Sequence, residues 1–293
     1  MPVIPRFSLE RPTSLIEAFQ AHAAAGGDAA WLAGGTELLQ VMKMGFAQFG
    51  TLIDLKRIAD LRGVEVTPDG RLRIGAATTH RAIERSEVVR EHAPALAALE
   101  AHLANIRVRN TGTIGGNLAF AEPHSDPATL LLACGATVEL VAPGGRRELG
   151  IDEFVLGPLW TAREPGEIIV AIHLPPAGVG TGRAYDKIKF FERPAASVAV
   201  TMTVVDGSIS RSTVAVGSLT ERPTIVPGAG DALVGTAADL RALDPPVRVA
   251  IESFGDLDIG ADLNGSADYK RHLAGVLLGR AVRGALSEAL ARA

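Results

Sequence analysis

Two pairs of adjacent glycines, each standing just ahead of an apolar run, constrain this chain more than any other feature. "LAGGTELL" covers Leu32 to Leu39, and "TGTIGGNLAFAEPHSDPATLLLACGA" covers Thr111 to Ala136. Glycine lacks a Cβ, so a glycine pair lets backbone come very close to something else, its N–H groups included. A helix start beside such a turn adds free N–H groups and a positive dipole end, worth about 0.3–1 kcal/mol to an anion. The chain's net charge is −4, so bulk charge does not draw a phosphate ligand, and a phosphate site here has to be built from local amides. Neither pair reads G-x-G-x-x-G, and neither is followed by G-K-[ST], so neither is a Rossmann or Walker signature. A lone AGGT or GGN is also an ordinary tight turn, and the residues alone leave both readings open.

The pattern around the pairs alternates. Residues 13–25 read as a helix, with Leu15, Ile16, Ala18 and Phe19 on one face and Thr13 or Ser14 as cap. Gly26 and Gly27 end it; 29–32 is a short strand, Gly34 and Gly35 a turn, 36–44 a helix and 51–55 a strand. Residues 71–76 alternate like a strand, Thr78 and Thr79 cap a helix reaching Arg85, and 94–103 is another helix. After the second pair, Ser125 or Asp126 is a natural N-cap, Pro127 fits the first helical position and Gly135 the stop. Residues 137–142 and 146–149 flank "PGG" as a hairpin and 168–174 is a strand, so the middle strands cannot all be parallel. Pro175, Pro176 and "AGVGTG" form the linker candidate. Beyond it, 197–205 and 208–219 face each other across Asp206-Gly207. Pro245 and Pro246 are expected to break the following helices, and 267–293 is helical, with Leu273, Val276, Leu277, Ala281 and Leu286 near a 3.6-residue period.

Composition narrows the function classes. The 293 residues are 47% hydrophobic and 21% charged, a globular mixture long enough for two or three domains. The acidic balance argues against nucleic-acid binding. The single cysteine, Cys134, excludes an internal disulfide and a Cys-ligated iron–sulfur cluster within these residues; inside its apolar run it reads as a buried small hydrophobe. No stretch reaches the ~20 apolar residues of a membrane span and the N-terminus has no signal core, so a soluble, cytoplasmic protein is expected. The seven histidines show no metal-ligand spacing, and no metal site is expected. His124, Ser125 and Asp126 are sequence neighbours, whereas a catalytic triad converges from separate elements. His80 reads as a packing residue of a first helical turn and His124 as a loop residue. Arg107 and Arg109, ahead of the second pair, suit either steering of a diphosphate or a solvated basic pair.

The blocks "LAGGTELLQVMKMG", "LIDLKRIADLRGV", "IGAATTHRAIERS", "IRVRNTGTIGGNLAFAEPHSDPATLLLACGATVEL" and "EPGEIIVAIHLP" resemble, in that order, the FAD-binding (medium) subunits of molybdenum hydroxylases. That family includes the medium subunit of aerobic carbon monoxide dehydrogenase and the flavin portion of xanthine dehydrogenase. The tail "GSADYKRHLAGVLLGRAV" is similar to the C-terminal domain of the same flavoproteins, so the resemblance covers nearly the whole chain. It implies an α+β architecture, the vanillyl-alcohol-oxidase-type (PCMH-type) FAD-binding fold of two α+β subdomains, plus a C-terminal antiparallel sheet with helices. The expected divisions are 1–55 and 56–177 for the two FAD-binding subdomains and 178–293 for the C-terminal domain.

Carried over residue by residue, the resemblance places Ala33, Gly34, Gly35, Thr36 and Glu37 in a first FAD loop. Thr113, Ile114, Gly115, Gly116 and Asn117 fall in a second. Both loops would offer backbone amides to the diphosphate, with hydroxyls from Thr36 and Thr113 and the Asn117 amide beside them. Ser125 and Asp126 match the region where a carboxylate meets the ribose hydroxyls, and Lys187 matches a lysine near the flavin ring. Phe120 stands where many relatives carry asparagine, and "FFERPAASVAV", with Pro194, departs from the segment that often reaches the isoalloxazine edge. No catalytic residue is assigned. The implied function is an FAD-binding electron-transfer subunit, an oxidoreductase component. It receives electrons from [2Fe-2S] clusters on a small partner, which are reduced by a large partner with a molybdenum-pterin cofactor, and the implied assembly is a dimer of heterotrimers. The rival readings are a self-contained FAD-dependent oxidase or dehydrogenase of a small organic substrate, and a non-catalytic nucleotide-binding module.

Overall fold

The computed structural model describes residues 4–190 and 192–293. The first fifty residues give β1 (Ser8–Glu10), α1 (Leu15–Ala24), β2 (Ala29–Leu32), α2 (Leu38–Lys43) and β3 (Thr51–Asp54). Ser14 caps α1 by accepting from the Glu17 amide at 3.2 Å. Strand β3 lies between β1 and β2 and runs parallel to both. Strand β1 goes beyond the sequence reading; its three residues carry too little pattern to register as a strand.

The middle of the chain gives β4 (Val64–Val66), β5 (Leu72–Gly75), α3 (His80–Arg85), α4 (Glu87–His92), α5 (Pro94–Ala101), α6 (Ile106–Thr111), α7 (Ile114–Phe120), α8 (Asp126–Ala133), β6 (Thr137–Ala142), β7 (Gly145–Gly150), α9 (Ile151–Phe154), β8 (Val155–Gly157), β9 (Trp160–Thr161) and β10 (Ile168–Leu174). Five of these strands form one sheet in the order β4-β5-β10-β6-β7, antiparallel at every pairing. Strand β10 is central and all seven of its residues are buried, including His173, whose Nε2 meets Glu139 at 2.9 Å. Helix α8 ends where Gly135 adopts φ +65, the left-handed stop that glycine tolerates best.

The remainder gives β11 (Thr181–Lys189), β12 (Pro194–Val205), β13 (Ser208–Gly217), β14 (Thr224–Ile225), α10 (Pro227–Asp231), α11 (Asp244–Glu252) and α12 (Ala267–Ala291). The four strands pair antiparallel in chain order. Asp206 and Gly207, both at positive φ, close the β12–β13 hairpin. Helix α12 lies on β11 and β12 and buries Leu273, Leu277, Ala281 and Leu286, while Val276 is partly exposed. All eight residues of α8 are buried, and the helix rests on β12 and β13. One apolar core accordingly joins Leu130 and Leu131 to Ala199 and Ala215, across the linker that separates them along the chain.

Two sequence expectations are corrected. Pro245 and Pro246 do not break a helix; they occupy the first turn of α11, where a missing N–H removes no helical bond. The second glycine pair is not in a turn. Gly115 and Gly116 are the second and third residues of α7, with Thr113 as N-cap accepting from the Gly116 amide at 3.1 Å.

Candidate functional site

A cavity of about 700 Å³ opens between the first sheet, the start of α7 and the residues leading into β12. Such a volume is ordinary for a small-molecule or cofactor site. Its wall includes Ala33, Gly34, Gly35, Thr36, Glu37, Thr113, Gly115, Gly116, Asn117, Ser125 and Asp126. The first and second glycine pairs, eighty residues apart, therefore face one space. Ile114 does not reach it; its side chain is fully buried in the core beneath. Lys187 also lies outside the lining and meets the site through Asp126.

The two pairs do different work. In the first, Gly35 has φ +71, a conformation costing a non-glycine residue about 1–2 kcal/mol. Gly34 packs against the end of α6, where a Cβ would lie 2.6 Å from the Gly112 Cα. Lys56 Nζ holds the Ala33 carbonyl at 2.9 Å. Among the described residues, none accepts a hydrogen bond from the amides of Gly34, Gly35, Thr36 or Glu37, or from the Thr36 hydroxyl. In the second pair the amides have partners. Ile114 N donates to Thr78 O at 3.2 Å, Gly115 N to Ala76 O at 2.9 Å and Asn117 N to Thr113 O at 2.9 Å, and Gly116 N to the Thr113 cap. Of the two pairs, the first is the one whose amides are unpartnered among the described residues. The glycine at 115 serves close packing instead: a Cβ there would lie 2.5 Å from Ala76 Cβ and 2.7 Å from Ala76 O.

Around Asn117 and Asp126 the polar groups are pre-set. The Ser125 hydroxyl donates to Asn117 Oδ1 at 2.6 Å, which turns the Asn117 NH₂ into the remaining free donor of that side chain. Asp126, buried at the start of α8, accepts from Lys187 Nζ at 2.6 Å and from the Tyr185 hydroxyl. Lys187 lies on edge strand β11, yet its side chain is only 9% exposed, so it is an internal ion-pair partner and not a solvated edge lysine. Burial and the Asp126 carboxylate push the Tyr185 phenol well above its usual range, so it stays a neutral donor.

A chain of charges crosses the cavity mouth. Arg193 reaches Glu122 at 3.0 Å and Glu37 at 3.5 Å. His124 lies between Glu122 (3.0 Å) and Asp262 (3.1 Å), and Lys270 meets Asp262 at 2.8 Å. The Glu122 hydrogen bond, against burial and aided by Asp262, raises the His124 imidazolium above its ordinary 6.5. Burial works to raise the Asp262 carboxyl, but bonds from Lys270, His124 and the Asn264 amide outweigh it and hold it at about 2. His124 is thus part of an ionic clasp, and both its nitrogens are engaged. Arg109 is tied to Leu103 O (2.9 Å) and Glu84 (3.2 Å), so it orients α6 and is not free for a ligand. Cys134 is buried, its thiol pushed up by desolvation. Further cavity groups escaped the sequence reading: Trp31, whose buried Nε1 has no partner among the described residues; Glu122 and Arg193; and the role of His80 as a lining residue. Nothing in local spacing marks them, because their partners lie far away in the chain.

The donor set, four loop amides, a threonine hydroxyl and an asparagine NH₂, suits a ligand rich in phosphate and carbonyl acceptors. No helix among the described residues is long and apolar enough to cross a membrane.

Comparison with known proteins agrees with this chemistry. The profile of the FAD-binding domain in molybdopterin dehydrogenases matches residues 5–177, and that of the carbon monoxide dehydrogenase flavoprotein C-terminal domain matches 190–285. The chain is 34% identical over 285 residues to the carbon monoxide dehydrogenase medium chain of Afipia carboxidovorans, covering 97% of this chain and 98% of that one. It is 32% identical to the nicotine 6-hydroxylase medium subunit of Paenarthrobacter nicotinovorans over 87% of this chain and 89% of that one. A carbon monoxide dehydrogenase structure from Hydrogenophaga pseudoflava superposes with a TM-score of 0.91 at 35% identity, covering 98% and 99% of the two chains. The fold is the PCMH-type FAD-binding fold with its C-terminal flavoprotein domain, and the chain belongs to the family of FAD-binding subunits of molybdopterin-dependent dehydrogenases.

Proposed function

We propose that this chain is the FAD-binding electron-transfer subunit of a molybdenum hydroxylase complex. The observation that carries the reading is the cavity in which the unpartnered Gly34–Glu37 amides and the Asn117 side chain converge, within a chain of this family. The first loop holds the diphosphate through its amides and Thr36. Thr113, Gly115 and Gly116 shape the wall opposite, and Asn117, fixed by Ser125, adds a side-chain donor. Asp126, held by Lys187 and Tyr185, sets the polar floor where α8 meets β11. The bound flavin supplies redox chemistry, accepting electrons from partner centres and handing them to an external acceptor. The chain's own task is to bind and orient that group and to shield it.

The sequence and the relatives support the partners. One cysteine cannot ligate a [2Fe-2S] cluster, so the clusters sit on a small iron–sulfur subunit and the molybdenum-pterin cofactor on a large one. The working unit is a dimer of such heterotrimers in the cytoplasm. The medium chains related to this one serve carbon monoxide and nicotine enzymes, substrates with no shared chemistry, which supports placing substrate choice in the large partner. The divisions 1–55, 56–177 and 178–293 are part of the proposal; each contains one of the three larger sheets.

Co-expression with neighbouring reading frames, with purification through a tag on this chain, tests the assembly. Flavin, iron and molybdenum should be recovered together. Flavin alone, with turnover of an organic substrate by the isolated chain, would instead establish a self-contained oxidase.

A further inference from the structure

We propose that His80, held in place by Glu100, is an additional binding residue for the FAD diphosphate, donating from Nε2. The inference rests on the FAD reading above and adds a residue to that site. His80 opens α3 and is 2% exposed. Its Nδ1 lies 2.8 Å from Glu100 Oε2, and Glu100, on α5, is fully buried. Among the described residues the second Glu100 oxygen has no partner. Nε2 of His80 bonds none of the described residues, and the ring borders the cavity.

Gly112 lies beside the ring. A Cβ there would stand 3.2 Å from His80 Cδ2, the carbon bonded to Nε2, and 3.5 Å from Thr36 Oγ1. The free edge of the imidazole and the Thr36 hydroxyl therefore meet over one glycine. Gly34 packs on that same glycine, so His80 adjoins the loop whose amides are unpartnered. A carboxylate removed entirely from water is costly unless a cation or a proton compensates it. The single proton held in the Nδ1···Oε2 hydrogen bond does so, and the ring's other N–H, at Nε2, is then the donor toward the cavity. The pair thus presents an N–H donor to an anionic ligand. Glu100 acts through His80 and is a positioning residue.

The test uses the full chain with FAD and ADP as probes. His80→Asn keeps an N–H near the Nδ1 position and removes the atom at Nε2; His80→Gln keeps a donor near Nε2. His80→Asn should weaken FAD and ADP binding by the same factor, on the order of ten- to a hundredfold, and should move the ³¹P resonances of bound FAD. His80→Gln should retain most of the affinity, and Glu100→Gln should fall between. FAD binding by His80→Asn within twofold of the unaltered chain, or an unmoved ³¹P spectrum, would overturn the inference while leaving the FAD reading intact. Failure of the unaltered chain to bind FAD would overturn both. Should His80→Asn not fold, the unaltered protein with ¹⁵N-labelled histidine decides: the His80 Nε2 resonance should shift on FAD binding, and a constant resonance would refute the contact.

Discussion

Alanine substitutions at the two neighbouring glycines of α7 should have unequal consequences. By intrinsic helix propensity each Gly→Ala change would gain about 1 kcal/mol. At Gly115 the added Cβ would stand 2.5 Å from Ala76 Cβ and 2.7 Å from Ala76 O, whereas carbon atoms in contact prefer about 3.5–4.0 Å. Helix α7 must retreat by about 1 Å to reach that separation. Overpacking of this kind costs about 1–3 kcal/mol, and the retreat weakens the Gly115 N–H bond to Ala76 O, worth about 1 kcal/mol. The net loss is about 1–3 kcal/mol, a fall in melting midpoint on the order of 5 °C. At Gly116 the nearest atoms are the Thr113 hydroxyl at 2.9 Å and Ala33 Cβ at 3.7 Å. The hydroxyl rotates away at the expense of a cap bond worth about 1 kcal/mol, so gain and loss nearly cancel. Thermal unfolding of the two flavin-free variants, followed by circular dichroism, reads the difference. Gly115→Ala as stable as the unaltered chain, or equal loss at both positions, would refute the close-packing argument.

Three further outcomes are expected. Lys187→Met leaves the buried Asp126 with Tyr185 alone and should destabilise by about 3–5 kcal/mol in urea titration, and adding Asp126→Asn should recover much of that. The ionic clasp depends on pH: the lowered Asp262 value contributes stability above its ordinary 3.8 that is lost as pH falls toward about 2, and the raised His124 value contributes stability below 6.5 that is lost as pH rises through it. A His124→Ala/Asp262→Ala double-mutant cycle should therefore show stronger coupling at about pH 5.5 than at about pH 9; equal coupling would contradict the assigned shifts. FAD is held non-covalently, because both His124 nitrogens are engaged and Cys134 is buried away from the cavity; acid precipitation should leave the yellow colour in the supernatant, and colour in the pellet would show a tether.

The legible parts of the fold are those coded locally. Strands 29–32, 137–142 and 168–174 and the Asp206-Gly207 hairpin follow from short-range alternation and turn chemistry, and each is present. Helix α7 was hidden because two glycines and an asparagine are poor helix formers; it exists because Gly115 can touch Ala76, a contact no local pattern encodes. The proline pair at 245–246 misleads for a related reason, since proline both ends helices and begins them. At the site, AGGT and TIGGN look equivalent in sequence. Their difference, free amides in one and bonded amides in the other, depends on Thr78 and Ala76. The Glu37–Arg193–Glu122 link and the His80–Glu100 pair join residues distant in sequence, and single-sequence reading has no access to such pairings.

The seating of the wholly buried α8 on β12 and β13 bears on how such proteins can diversify. A Cβ on Gly217 would fall on the Thr129 hydroxyl, so a larger residue on one side of that seam demands a smaller one on the other. The linker at 175–180 offers a convenient crossover point for recombination between relatives, but a chimera made there inherits α8 from one parent and its bed on β12 and β13 from the other. Exchange of the C-terminal half is then tolerated only between parents whose seams already match, and the two halves descend together as one unit even though the chain between them has no helix or strand.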